Sequence, residues 1–242
     1  MRSLLRLSRA VVLCVPSFVT GANADQWTAA PAFVSGSMWT GLYVGVNESG
    51  AWGDSDWRYA NGSTTSPGFE TGAMFGGHIG YQQQWYGLVA GIDVSYAGVP
   101  NVEARAWCPG NVGVCENSVD GLLLVNGRLG YAVDRVLLYG TGGYARSKIE
   151  VQTDFFNPAL NLSDDRRVSG WNVGGGAEYL VTPNVILGIE YLHVDLDDEA
   201  FAMRNAAGTF AQAVNVDADL DIVRARFTVK LGGERESLSR LK

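Results

Sequence analysis

Only two of the 242 residues are histidines, His78 and His193. His193 stands two residues before Asp195, the spacing at which a carboxylate can orient a general base. No nucleophile motif and no second pair of acids at matched spacing accompanies it, so a histidine at a strand rim is the better reading. As a haem ligand, a lone His193 is a weak candidate. The glycine runs GGHIG, GTGG and GGGA lack the lysine and the strand-turn-helix setting of a phosphate-cradling loop. Glycine within strands instead permits sharp curvature and close packing of side chains. Cys108 and Cys115, in CPGNVGVC, are spaced for a small loop disulfide if the chain is exported, with two free thiols as the alternative. Neither a catalytic group nor a metal or cofactor site emerges.

The charges that stand out are Asp93, Arg128, Glu178, Glu190, Arg224, Arg226 and Lys230, each set in an otherwise apolar alternating segment. Alternation of period two, bounded by turn residues, marks strands. The first lies in WTGLYVGVNESGAWG; seven more follow at about Gly72–Trp85, Gly87–Tyr96, Val119–Ala132, Val136–Glu150, Arg167–Val181, Val185–Asp195 and Ala218–Gly232. In the last, Val223, Ala225, Phe227, Val229 and Leu231 form one face and Ile222, Arg224, Arg226, Thr228 and Lys230 the other. In the sixth, Trp171, Val173, Ala177 and Tyr179 oppose Asn172 and Glu178. The third sets Ile92 and Val94 against Asp93, and the fourth sets Leu129 and Tyr131 against Asn126 and Arg128.

The connections alternate in length. QQWYG, AVDR and VTPN are tight, whereas 51–71, 97–118, 151–166 and 196–217 are long and polar. That is an up-and-down meander with two unlike rims. The N-terminal segment carries Arg2, Arg6 and Arg9, then an apolar stretch, then Ala22-Asn23-Ala24, the order of a secretory signal over 1–24. Its removal takes three arginines and no acids, lowering the formal charge from -7 to -10, so nucleic acid is excluded as a partner for want of a basic face. A polar lead covers 25–38, a barrel 39–232 and a tail 233–242. No later apolar run reaches the roughly 18 residues of a membrane helix, which leaves a closed barrel as the membrane alternative. Strand counts do not separate a soluble sandwich or lipocalin-like barrel, apolar face inward, from a membrane barrel with that face toward lipid. Trp85, Tyr131, Tyr139, Tyr179 and Tyr191, near strand ends, favour the second, because an interfacial girdle needs them there.

The ordered set WTGLYVGVNESGAWG, GGHIGYQQQW, LVAGIDVSYAG, GRLGYAVDRVLLYGTGGYA, GWNVGGGAEYLVTPNVILGIEYLHVDL and VRARFTVKLG resembles the small outer-membrane β-barrel surface proteins of alphaproteobacteria, often labelled porin-family or opacity-like. The resemblance spans Trp39 to Gly232. It implies an all-β, eight-stranded antiparallel up-and-down transmembrane β-barrel with short periplasmic turns and long extracellular loops. It also implies a structural or surface-interaction role in a Gram-negative outer membrane, with haemin or host-surface binding in some members. Its partners would be outer-membrane lipid and the barrel assembly machinery. Such barrels commonly end in an aromatic residue that this machinery reads; here the chain runs on into GERESLSRLK, which would place the signal internally, at Phe227 to Leu231.

In such a barrel Asp93, Glu178 and Glu190 share the lumen with Arg128, Arg224, Arg226 and Lys230. Buried charges require partners, and eight strands enclose a space just wide enough for side chains to fill. The expectation is therefore a structural plug, with an ion-selective constriction as the alternative. Partner binding would belong to the long loops, where Trp107 and the pair Phe155-Phe156 stand.

Overall fold

The computed structural model describes residues 38–98, 103–110, 113–157 and 160–231; the signal peptide expected over 1–24, the lead as far as residue 37 and the tail over 233–242 lie outside them. Its elements are β1 (Gly41–Tyr59), β2 (Thr64–Thr65), β3 (Gly68–Trp85), β4 (Leu88–Gly98), β5 (Glu103–Trp107), β6 (Gly113–Val133), β7 (Val136–Phe155), β8 (Leu162–Thr182), β9 (Val185–Asn205) and β10 (Phe210–Leu231). The long strands pair antiparallel in the order β1-β10-β9-β8-β7-β6-β4-β3, and β3 pairs back onto β1. The ring of eight is thereby closed and leaves no free edge, the arrangement that satisfies backbone groups in lipid. The short β5 bridges β6 and β3, and β2 pairs with the upper part of β1.

At one rim, two residues suffice to reverse the chain: Tyr86-Gly87, Asp134-Arg135 and Pro183-Asn184. Tyr86 and Asp134 take φ of 55° and 51°, the positive φ that a tight hairpin can require of its first turn residue. At the other rim the segments expected as long loops are largely strand. The β9–β10 ladder runs from Val185↔Val229 as far as Arg204↔Phe210, and β6–β7 from Val133↔Val136 to Gly113↔Phe155. The barrel wall continues well past the length a bilayer requires.

The reason lies in how alternation is used. Along β10, Val214, Val216, Ala218, Leu220 and Ile222 point inward and are buried, and the outward positions between them are polar, Asp217, Asp219 and Asp221 among them. Below Ile222 the faces exchange character: Arg224, Arg226, Thr228 and Lys230 point inward, while Val223, Phe227 and Leu231 are exposed outward. The same exchange occurs in β6, where Val119, Leu122 and Leu124 give way inside to Asn126 and Arg128, and Glu116 and Asp120 give way outside to Val125, Leu129 and Tyr131. The lower wall thus shows an apolar exterior, with Val46, Ile79, Ile92, Leu138, Ile189 and Phe227 exposed on six strands. Water would not tolerate so large a contiguous apolar surface; hydrocarbon demands it. The upper wall is apolar inside and polar outside, as in a barrel standing in water.

The interior accordingly has three layers. The upper one is an apolar core that includes Trp57, Ile149, Leu196, Phe201, Met203 and Leu220; each such side chain contributes roughly 1.5–3 kcal/mol when fully buried. The middle layer is charged. The lowest is a small apolar floor of Trp39, Val89, Ala132, Leu137, Leu180 and Ile186, with Tyr139 on its upper side.

Candidate functional site

Every long strand sends a polar side chain into the middle layer: Tyr43 from β1, His78 from β3, Asp93 from β4, Arg128 from β6, Tyr139 from β7, Glu178 from β8, Glu190 from β9, and Arg224 with Arg226 from β10. Arg226 sits at the hub. Its Nη2 donates to Asp93 Oδ2 at 2.8 Å, its Nη1 to Glu190 Oε2 at 3.3 Å, and its Nε lies 3.8 Å from Glu178 Oε1. Arg224 donates through Nε to Glu190 and through Nη1 to Ser95 Oγ at 3.1 Å. Arg128 Nη2 donates to Glu178 Oε2 at 2.8 Å, and its guanidinium stacks 4.0 Å from the centroid of the Tyr139 ring. The hydroxyls of Tyr43 and Tyr139 donate to Asp93 and Glu190, each at 3.0 Å.

Three arginines therefore meet three carboxylates in a layer that is formally neutral and almost wholly shielded from solvent. Attraction in such surroundings offsets the cost of desolvation only when the geometry is multidentate, and here each carboxylate has two or more donors or cations within reach. Close approach makes room for the rings: a Cβ on Gly80 would come 2.4 Å from Tyr43 Cζ, and one on Gly176 would come 3.0 Å from Tyr139 Cζ. Between the charged layer and the upper core, the space beside Ser95 and Arg224 amounts to about 10 Å³, about the room of one water molecule.

All seven residues singled out from charge are inward and buried, but they do not form one cluster. Lys230 sits lower and donates through Nζ to the Met38 carbonyl at the periplasmic rim. Tyr43, Tyr139 and Ser95 belong to the network and were not among them. Alternation places Tyr43 in register with Asn47 and Ser49 on the inner face, a signal present in the sequence. Tyr139, expected in the outer girdle, points inward instead, because it shares a face with Leu137 and Thr141. Trp85, Tyr131, Tyr179 and Tyr191 are outward and exposed.

The histidines part company. His78 is buried in the lumen, with Nε2 2.8 Å from Thr228 Oγ1. His193 is on the outer wall, its Nδ1 3.0 Å from Asp221 Oδ1 and its ring edge-on to Trp171. Asp195 is paired in register with Trp171 and makes no hydrogen bond to His193. Cys108 and Cys115 are joined by a disulfide across the hairpin between β5 and β6, with Cα atoms 5.1 Å apart. Trp107 and Phe156, both exposed, meet above it with ring centroids 6.4 Å apart, whereas Phe155 packs against the upper core. Higher on β10, burial and neighbouring carboxylates, Asp198 and Asp195 foremost, hold Asp217 and Asp219 above the usual carboxylate range.

Known proteins share this plan. The outer membrane protein β-barrel domain family matches residues 12–228. A 31 kDa outer-membrane immunogenic protein of Brucella melitensis is 31% identical over 199 residues, covering 77% of this chain and 79% of its own. A 22 kDa outer membrane protein of Rhizobium leguminosarum bv. viciae is 30% identical over 190 residues, covering 76% and 75%. Among solved structures, the outer membrane protein OprG of Pseudomonas aeruginosa aligns over 80% of this chain and 97% of its own with a TM-score of 0.56; at 11% identity the likeness is one of fold. A closed eight-strand ring, an apolar outer band and these relatives together make this chain a member of the outer membrane protein β-barrel family, resident in the outer membrane of a Gram-negative bacterium.

Proposed function

We propose that the protein is a non-enzymatic, non-conducting barrel that contributes to envelope integrity and displays its raised extracellular wall for surface interactions. The observation that carries this reading is the layering of the lumen: a neutral network of interlocked charges lies between an apolar core above and an apolar floor below. An ion would have to shed its water against apolar side chains at both ends and break arginine–carboxylate pairs between them, with nothing to replace the lost hydration. The naming of the Brucella relatives as immunogenic supports display of the extracellular wall. The barrel assembly machinery is the expected partner during insertion, reading the Phe227–Leu231 segment.

Two other readings make distinct predictions. A narrow porin-like channel would use Arg226 and Glu190 as its selective constriction. A haemin or host-surface receptor would draw on His193 or on the Trp107–Phe156 pair. Planar-bilayer recordings separate the first: purified protein is expected to give no steps above background, and neutralising Arg226 or Glu190 should not create an ordered, ion-selective conductance. Reproducible single-channel steps whose selectivity follows those two residues would refute the closed lumen.

A further inference from the structure

On the outer wall, where β6, β7 and β8 leave the apolar band, Tyr96, Asp120, Leu123, Arg146, Lys148 and Arg167 line a groove of about 400 Å³. We propose that this groove binds the phosphorylated headgroup of a lipid in the outer leaflet.

The cations sit close together by register. Arg146 and Lys148 are two residues apart on the outer face of β7, and Lys148 is directly opposite Arg167 of β8. Like charges placed opposite one another on a sheet repel. Lys148 has Asp120 at 3.3 Å and Asp165 at 3.5 Å, but among the described residues no carboxylate lies within ion-pair distance of Arg146 or Arg167. Two guanidiniums are thus left without an anion, on a chain whose formal charge is -7.

Height on the wall selects the anion. Immediately below the cations, Tyr144 and Trp171 are paired across β7 and β8 and both are exposed; Tyr96 continues that belt on β4. Aromatic belts mark the boundary between hydrocarbon and headgroups, so the cations stand in the headgroup layer, at the depth of lipid phosphates. The groove is also built for a mixed ligand. Its lower side, Tyr96 and Leu123, is continuous with the lipid-facing band formed by Val94 and Val125, which offers a track for acyl chains. A bulge at Asp120 breaks the β6–β7 register, and Gly121 lets the Tyr96 ring lie across the strand: a Cβ there would come 2.5 Å from Tyr96 Oη. Guanidiniums suit a phosphate through paired N–H donors. Further round the ring, the flank of β1, β9 and β10 carries Asp54, Asp195, Asp219 and Asp221; on β6–β8, Asp120 and Asp165 are engaged by Lys148, which leaves the two guanidiniums to set the preference.

The proposal rests on the membrane placement of the outer wall and is independent of whether the lumen conducts. Native mass spectrometry of the full chain in non-ionic detergent tests it, with phosphatidic acid as the probe and zwitterionic phosphatidylcholine as the comparison. Wild type is expected to retain phosphatidic acid preferentially. The R146Q/K148Q/R167Q variant should lose that preference, on the order of fivefold per charge removed, while keeping the heat-dependent gel migration of a folded barrel. Should the triple variant fail to fold, R146Q and R167Q singly serve, since neither breaks an ion pair. Equal retention of the two lipids by wild type, or unchanged preference in a folded variant, would overturn the proposal. Inorganic phosphate forms the last arm: no displacement at equimolar concentration is expected, and displacement matching that by the lipid would assign the groove to a free anion instead.

Discussion

Arg226 reaches Asp93, Glu190 and Glu178 from one guanidinium, so its loss leaves several carboxylates short of a partner. Arg226→Met is expected to lower stability by about 3–5 kcal/mol, the cost of unpaired buried charge, read as a shift in urea unfolding of the barrel in lipid vesicles. Replacing Arg128 and Glu178 together, as Arg128→Met with Glu178→Leu, should cost less than the sum of the single changes, because the double variant strands fewer charges. At this scale the sequence was informative about which charges turn inward, since period two allows each strand only two faces. It was silent on which charges meet. Lys230 alternates in step with Arg226, yet its position near the strand end takes it to the Met38 carbonyl and out of the network. Tyr139 shows the other limit: a ring with a hydroxyl suits a girdle and a polar lumen equally well, and only its register with Leu137 and Thr141 decides.

Strands make the exchange of faces testable one side chain at a time. Phe227 on β10 is outward within the apolar band, between Val46 and Leu187 of its neighbours. Phe227→Arg should destabilise the inserted barrel by about 2–4 kcal/mol, the cost of a charge on the lipid face near the midplane. Asp219→Arg, eight residues up the same face, should change stability little, because that position is in water; both are measured by the same urea titration. The eight strands were readable in the sequence through their lower halves, where outward residues are apolar and turn residues follow closely. In their upper halves the sequence has the composition of loops. There the outward face is Asp, Glu, Asn and Ser, residues that also make loops, and the inward face of β10, Val214 to Leu220, continues the alternation behind them. Bulges at Asp120 and at Asp217 shift the period and hide that continuity further.

For the molecule as a whole, a wall closed by hydrogen bonds on every side predicts slow, all-or-none opening. An unboiled sample in dodecyl sulfate should migrate apart from a boiled one, and it should do so with or without reductant, because the Cys108–Cys115 bond closes only a hairpin above the ring. Identical migration of boiled and unboiled protein would count against the closed ring itself. The raised wall also bears on recognition. Above the membrane, the surface offered to another molecule is a twisted sheet, so a reader of that surface meets alternate residues drawn from neighbouring strands, such as Arg105 beside Glu116 or Arg58 beside Asp217. Side chains adjacent in the chain point to opposite sides of the wall, and half of them are hidden in the core. A short synthetic peptide copied from this region would expose both sets at once and reproduce neither the spacing nor the charge pattern of the assembled face. An antibody raised against this face is therefore expected to read a discontinuous surface, one that exists only while the barrel stands.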